Sequence, residues 1–276
     1  MNFQILGYIP EDTPIHKLNG AAKLIALILI SIATMTTYDT RFLLAAAGLS
    51  LVLFKISGIK WHQISFVVKF ITFFSILNLI AVYVFAPEYG VSIYGTRHVL
   101  WEGVWRFTIT SEQLFYEFNL LLKYFSTIPI ALVFILTTNP SEFASSLNKI
   151  GVSYKISYAV ALALRYIPDI QEDYFDISVA QQARGSETSK KAPLSQRIKG
   201  TVAIVSPLIL SSIDRIESIS TAMELRRFGK KKTRTWYMAK PFSTLDGITI
   251  AISILTLIIS IALYFVNNGR FYNPFQ

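Results

Sequence analysis

Apolar residues gather in five blocks, at 21–37, 42–56, 64–86, 114–137 and 245–266, and the stretches between them hold nearly all the charge. A helix rising about 1.5 Å per residue needs roughly 20 apolar residues to cover about 30 Å of hydrocarbon. Each block approaches that length, so the pattern predicts five transmembrane helices. The second is short and ends at Lys55, whose long stem can snorkel to the interface. Glu11, Asp12 and two prolines precede the first block, with no basic n-region and no small-residue cleavage site, so that block reads as a retained span rather than a signal peptide. Between the fourth and fifth blocks, 139–243 reads as helix over most of its length. Breaks are expected at Gly151, at 185–193, and after Phe228, where Gly229 can serve as a C-cap. Its two apolar stretches, 156–167 and 202–213, are too short to span, and the second contains Pro207. They are expected to pack on each other or lie against the membrane-embedded part from the cytoplasmic side. The fold class is an all-α membrane protein, divided into 1–138 with four spans, 139–243, and 244–276 with the last span and a short tail.

Charge orients this arrangement. Lys17 and Lys23 stand at the start of the first span, and Lys55, Lys60 and Lys69 lie around the junction of the second and third, so these ends read as cytoplasmic. The loop 87–113 balances Arg97 and Arg106 against Glu88, Glu102 and Glu112, and reads as external. Segment 139–243 carries 16 of the 26 Lys and Arg residues against nine acids, which places it in the cytoplasm. Five crossings then put the amino terminus inside and the carboxyl terminus, with Arg270, outside. Tyr83, Phe85, Tyr89, Tyr94, Trp101, Trp105 and Phe107 read as an interfacial aromatic belt. With 53% hydrophobic and 16% charged residues, the chain is too apolar for an ordinary soluble domain of its length. The net charge of +9 belongs to cytoplasmic loops, and nucleic-acid binding is not its first reading.

Candidate chemistry is sparse. There is no cysteine, and His16, His62 and His98 are too scattered for a metal motif. Glu172, Asp173 and Asp176 share one side of a predicted helix whose apolar stripe is Ile170, Phe175, Val179 and Ala183, as on a solvated polar face. No nucleophile with an orienting base and no glycine-rich phosphate cradle accompanies them, so no catalytic residue and no cofactor is assigned. An intramembrane enzyme would need acids, His or Ser set in catalytic geometry within the spans. The spans instead hold Lys123 and Asn78, for which snorkelling or helix-to-helix hydrogen bonding is expected. Two strings differ from this background: Gln181-Gln182-Ala183-Arg184-Gly185-Ser186 and Ala222-Met223-Glu224-Leu225-Arg226-Arg227-Phe228-Gly229. Each sets an arginine at a helix end beside small or apolar residues, just before a glycine-containing stop. Such a guanidinium either complements the helix dipole or pairs bidentately with a carboxylate of a partner.

Five pieces, in order along the chain, resemble the transmembrane T component of energy-coupling factor (ECF) transporters. They are the opening Thr13-Pro14-Ile15-His16-Lys17-Leu18-Asn19-Gly20-Ala21-Ala22-Lys23, then Leu136-Thr137-Thr138-Asn139-Pro140-Ser141-Glu142, then Ala163-Leu164-Arg165-Tyr166-Ile167-Pro168, and the two arginine strings. The resemblance covers essentially the whole chain. The departures are Asn19-Gly20 in place of the usual Asp-Pro, and Leu225 and Arg227 in place of Ala and Gly.

What the resemblance implies is a non-catalytic scaffold of a prokaryotic plasma-membrane importer for a vitamin or a transition metal. Its cytoplasmic coupling region of long amphipathic helices would dock on two ABC ATPase subunits, through Ala183, Arg184 and Gly185 at one and Leu225, Arg226 and Arg227 at the other. ATP-driven closure would then move a small substrate-binding membrane subunit, which chooses the substrate. A conventional ABC permease, the alternative, would form the substrate path itself and offer one coupling-loop motif with a Glu-Ala-Ala pattern. Here there are two arginine motifs and no such loop.

Overall fold

The computed structural model describes Tyr8 and residues 11–102, 107–185, 193–231, 235–237 and 239–275. Trp105 and Arg106 of the external loop, Ser186 of the first arginine string and most of the predicted break at 185–193 lie outside the described residues. The helices are α1 (Pro14–Lys17), α2 (Gly20–Thr36), α3 (Thr40–Ile56), α4 (Trp61–Phe85), α5 (Tyr89–Tyr94), α6 (Ser111–Thr137), α7 (Pro140–Lys149), α8 (Tyr154–Ala183), α9 (Leu194–Leu225) and α10 (Thr244–Val266). A small antiparallel pair, β1 (Val99–Trp101) and β2 (Ile109–Thr110), sets Val99 opposite Thr110 within the loop before α6. All five apolar blocks are helical. Three helices are long and apolar enough to cross a membrane, α4 from Ile64 onward, α6 and α10, and α2 is a shorter apolar helix.

The chain divides into two compact units, one made of residues 1–142 and 240–276, the other of Phe143–Ala239. In the first unit α2 packs on α10 and α6, while α3 lies along α6. Ala33, Phe42, Leu43, Ala46, Ala47 and Leu122 form its core, with Leu257 and Leu263 against them. Small residues let the helix backbones approach, and buried hydroxyls then bond across them, as in membrane bundles. Ser260 Oγ donates to Ala33 O at 2.9 Å, and Ser126 Oγ to Leu43 O at 3.2 Å. Pro129 inside α6 has no N–H to give the carbonyl of Phe125. Ser50 Oγ donates to that oxygen instead, at 2.7 Å.

The turns are fixed by side-chain caps. Asp39, fully buried at the N-cap of α3, accepts from Arg41 N and Phe42 N, from the Arg41 guanidinium, and from Asn267 Nδ2 at 2.8 Å. Burial alone would raise its pKa, but these donors outweigh it and hold the carboxyl below the usual carboxylate range. Lys123 is buried on α6, donating to Met35 O at 2.9 Å with its ammonium 3.3 Å from the centre of the Tyr38 ring. Asn78 accepts from Tyr124 Oη at 2.7 Å, so the expected helix-to-helix bonding holds for both.

Candidate docking site at two helix ends

Within the second unit, α8 and α9 pack in antiparallel register, since Arg215 pairs with Asp173 at 2.7 Å while Gln181 bonds to Ala203 at 3.3 Å. The same guanidinium reaches Asp169 at 3.9 Å. Of the three acids expected on a solvated face, Asp173 instead joins α8 to α9, together with Asp169 one turn earlier. Gly200 and Ile204 of α9 are buried. The two short apolar stretches thus lie on one helix pair, with much of their apolar surface still exposed, including Ile156, Ile167, Val202, Ile209, Leu210 and Ile213.

Both arginine strings fall at helix C-termini. Ala183 is the last residue of α8, Arg184 its C-cap, and Gly185 follows in the left-handed region at φ 87°. Leu225 is the last residue of α9, Arg226 its C-cap, and Arg227 follows at φ 54°. All six residues are exposed, Leu225 by 81%. No described residue forms an ion pair or hydrogen bond with the guanidinium of Arg184 or of Arg227.

The stop of α9 is a Schellman motif: Arg227 N donates to Glu224 O at 2.9 Å and Phe228 N to Met223 O at 2.9 Å. The left-handed residue that permits this turn is Arg227, not Gly229, which corrects the sequence-based C-cap. Gly229 is also left-handed, at φ 84°, and turns the chain past the Lys155 side chain. Phe228 then stacks on Tyr158 and Tyr154, with ring centres 4.7 and 5.5 Å away. Trp236 closes this cluster against Tyr154 and donates its indole N–H to Asn148 Oδ1 at 3.2 Å. The second motif is therefore anchored at the N-terminal end of α8, and the first stands at its C-terminal end. At 1.5 Å per residue they are separated by roughly 40 Å along that helix.

Gln181 and Pro207 carry a role that the sequence pattern did not assign. Pro207 leaves the carbonyl of Ala203 without its helical N–H, and Gln181 Nε2 donates to that oxygen. The glutamine of the first string thus holds the end of α8 to the middle of α9. A proline within a helical stretch, with a Gln or Ser available on the neighbouring helix, was the signal for it, repeated at Pro129 and Ser50.

In the first unit, two more of the resembling strings meet. Lys23 Nζ donates to Thr137 O at 2.8 Å, and Lys240 Nζ donates to His16 O at 2.7 Å and to Glu142 Oε2 at 3.1 Å. Asn19 caps α2 with Oδ1, donates from Nδ2 to Lys240 O, and gives its backbone N–H to Asp246 Oδ1 at 2.7 Å. An aspartate at 19 could cap but not donate, so this departure is used structurally. Among the described residues no three His, Asp or Glu side chains are grouped to hold a metal.

Three helices long and apolar enough to cross a membrane mark the chain as a polytopic α-helical membrane protein. The chain belongs to the family described as cobalt transport protein, CbiQ, which matches residues 11–237. It is 27% identical over 273 residues to the energy-coupling factor transporter transmembrane protein EcfT of Staphylococcus aureus (strain 04-02981), covering 95% of this chain and 96% of the relative. It is 30% identical over 274 residues to the EcfT of Streptococcus equi subsp. equi (strain 4047), covering 96% and 97%. The EcfT of Bacillus selenitireducens is 28% identical over 258 residues, covering 90% and 92%. With the family, these relatives identify the chain as the membrane energy-coupling subunit of an ECF transporter.

Proposed function

We propose that this subunit docks on two ATP-binding cassette subunits, one at Ala183, Arg184 and Gly185 and the other at Leu225, Arg226 and Arg227. The observation that carries this is the pair of exposed arginine-bearing helix ends, set at opposite ends of one antiparallel helix pair. A helix C-terminus capped by an arginine presents a planar, permanently charged fork that can pair with a carboxylate in a partner groove. Small residues at 183 and 185 leave that groove room to close around the turn. Two ends some 40 Å apart on one rigid pair suit two partners that approach each other, because relative movement of the partners becomes a torque on the pair.

The rest of the mechanism follows from that docking. The chain spans the membrane five times, with α2, α3, α4, α6 and α10 as the spans, its amino terminus and 139–243 in the cytoplasm and its carboxyl terminus outside. The exposed apolar stripes of α8 and α9 carry the movement to a small substrate-binding membrane subunit. That subunit sets whether a vitamin or a transition metal is taken up. This chain is a non-catalytic scaffold, and nucleotide hydrolysis belongs to its ATPase partners.

Replacing Arg184 and Arg226 by Glu, singly and together, tests the docking. Each single change is expected to weaken assembly by about 2 to 5 kcal/mol, seen as loss of ATPase co-purification, and to abolish ATP-driven uptake. Undiminished assembly and uptake in the double variant would overturn it.

A further inference from the structure

We infer that the slot between α3, α4 and α6 is a binding site for one acyl chain of an anionic phospholipid. A cavity of about 390 Å³ lies there, lined on α3 by Leu51 and Phe54, on α4 by residues from Trp61 to Leu79, and on α6 by residues from Leu121 to Leu132. This is a place where three helices fail to close. Among the long apolar helices α4 is the one that hardly packs, and Phe66, Phe70, Phe73, Leu77 and Ile80 point away from the bundle. Its lining face repeats Trp61, Ile64, Val68, Ile71, Thr72, Ser75 and Leu79, one side of a helix about 27 Å long at 1.5 Å per residue.

Shape decides against a protein helix as the occupant. A spanning helix, about 10 Å across and about 30 Å long, is too bulky to enter the slot and could only lie across its mouth. A long, narrow, almost wholly apolar slot within hydrocarbon suits a single extended chain, which recovers the dispersion contacts an open gap would forfeit. At its far end Tyr124, which lines the slot, hydrogen-bonds Asn78 on α4 and ties the two helices together.

Charge at the near end selects the headgroup. Lys55 stands one turn beyond Leu51 on the same face of α3, and Lys60 immediately precedes Trp61. Lys69 is exposed two turns further along α4. Among the described residues the Glu11 carboxylate lies at this corner, against Gly58. Asp12, next to Glu11, is paired with Lys17 at 3.2 Å, so the corner keeps a positive excess; beside an exposed tryptophan at the position where interfacial indoles sit, that excess favours a phosphate with net negative charge. The inference is independent of the docking of ATPases.

The test uses the full chain in detergent micelles doped with equimolar phosphatidylglycerol and phosphatidylcholine, with retained lipid identified by native mass spectrometry. One phosphatidylglycerol per chain should be retained at about fivefold or greater excess over phosphatidylcholine. Filling the slot with Ser75→Phe, or separately with Val68→Phe, should remove that lipid while each variant keeps the parent melting temperature to within a few degrees without added lipid. Lys55→Gln with Lys60→Gln should keep one lipid bound but bring the two headgroups to equal occupancy. Retention of no lipid by the parent, equal retention of both headgroups, or undiminished retention in both filled variants would overturn the inference. So would loss of a co-purifying membrane protein, with lipid unchanged, in the filled variants.

Discussion

Arg227 holds a backbone conformation that costs an L-residue about 1 kcal/mol or more and costs glycine nothing, because its Cβ crowds the neighbouring carbonyl at positive φ. Gly185 occupies the equivalent place after α8. An exposed arginine kept under strain, with no described partner inside the chain, points outward for its reason. Arg227→Gly is therefore expected to move two observables in opposite directions. Thermal unfolding of the isolated subunit should show a gain of about 1 kcal/mol, while affinity for the ATPase pair should fall and become less sensitive to salt. A gain in stability with assembly unchanged would show that Arg227 makes no contact there. In the sequence the residue stood out only as a departure from a small position; the left-handed turn that makes it costly depends on hydrogen bonds to Met223 and Glu224, which no single-residue preference encodes.

Helices end here by a shared device. After α7, Gly151 is left-handed at φ 104°, with Val152 N donating to Leu147 O at 3.0 Å. After α10, Asn268 is left-handed at φ 51°, with Gly269 N donating to Tyr264 O at 3.0 Å. Gly and Asn announce such stops, so the ends of α7 and α8 were legible, and the apolar blocks gave α2, α3, α4, α6 and α10 to within a few residues. The pairing of α8 with α9 was not determined, because both are amphipathic and the sequence equally allowed each to lie on the membrane part. The Gln181 bond to the carbonyl freed by Pro207 makes that pairing specific, and it can be isolated by a double-mutant cycle. Gln181→Ala alone should cost about 1 kcal/mol. In a Pro207→Ala background the helix regains its own N–H donor for Ala203, so the same change should cost close to nothing. Additive effects in thermal unfolding would show that the two groups do not act on one carbonyl.

The chain passes between its two compact units after Glu142 and before Lys240, and those two residues form an ion pair at 3.1 Å inside the first unit. The point where the second unit's chain leaves is thus tied to the point where it returns, with the His16 carbonyl accepting from the same ammonium. Glu142 is almost wholly buried there, its side chain 4% exposed. Lys240→Met, which leaves a buried carboxylate facing an apolar chain, should cost about 3 kcal/mol or more, whereas Glu142→Gln should cost clearly less. Losses below about 1 kcal/mol for both variants in melting experiments would indicate a solvent-screened pair of little consequence. Hydropathy and charge divided the chain at 138 and 244, a few residues outside these ties. Lys240 was counted there simply as one of sixteen basic residues, because a partner 98 positions away leaves no mark on local composition.

The bond from Asn19 to Asp246 joins positions 227 residues apart. At about 5 to 20 residues per second of synthesis, roughly 10 to 45 s pass between the appearance of the first and the second. Throughout that interval the N-terminal end of α2 is already made while its closing partners on α10 do not yet exist. The first long apolar helix to leave the ribosome is one of the last to be completed, and its polar end must be kept in water or in the care of the insertion machinery until the final span arrives.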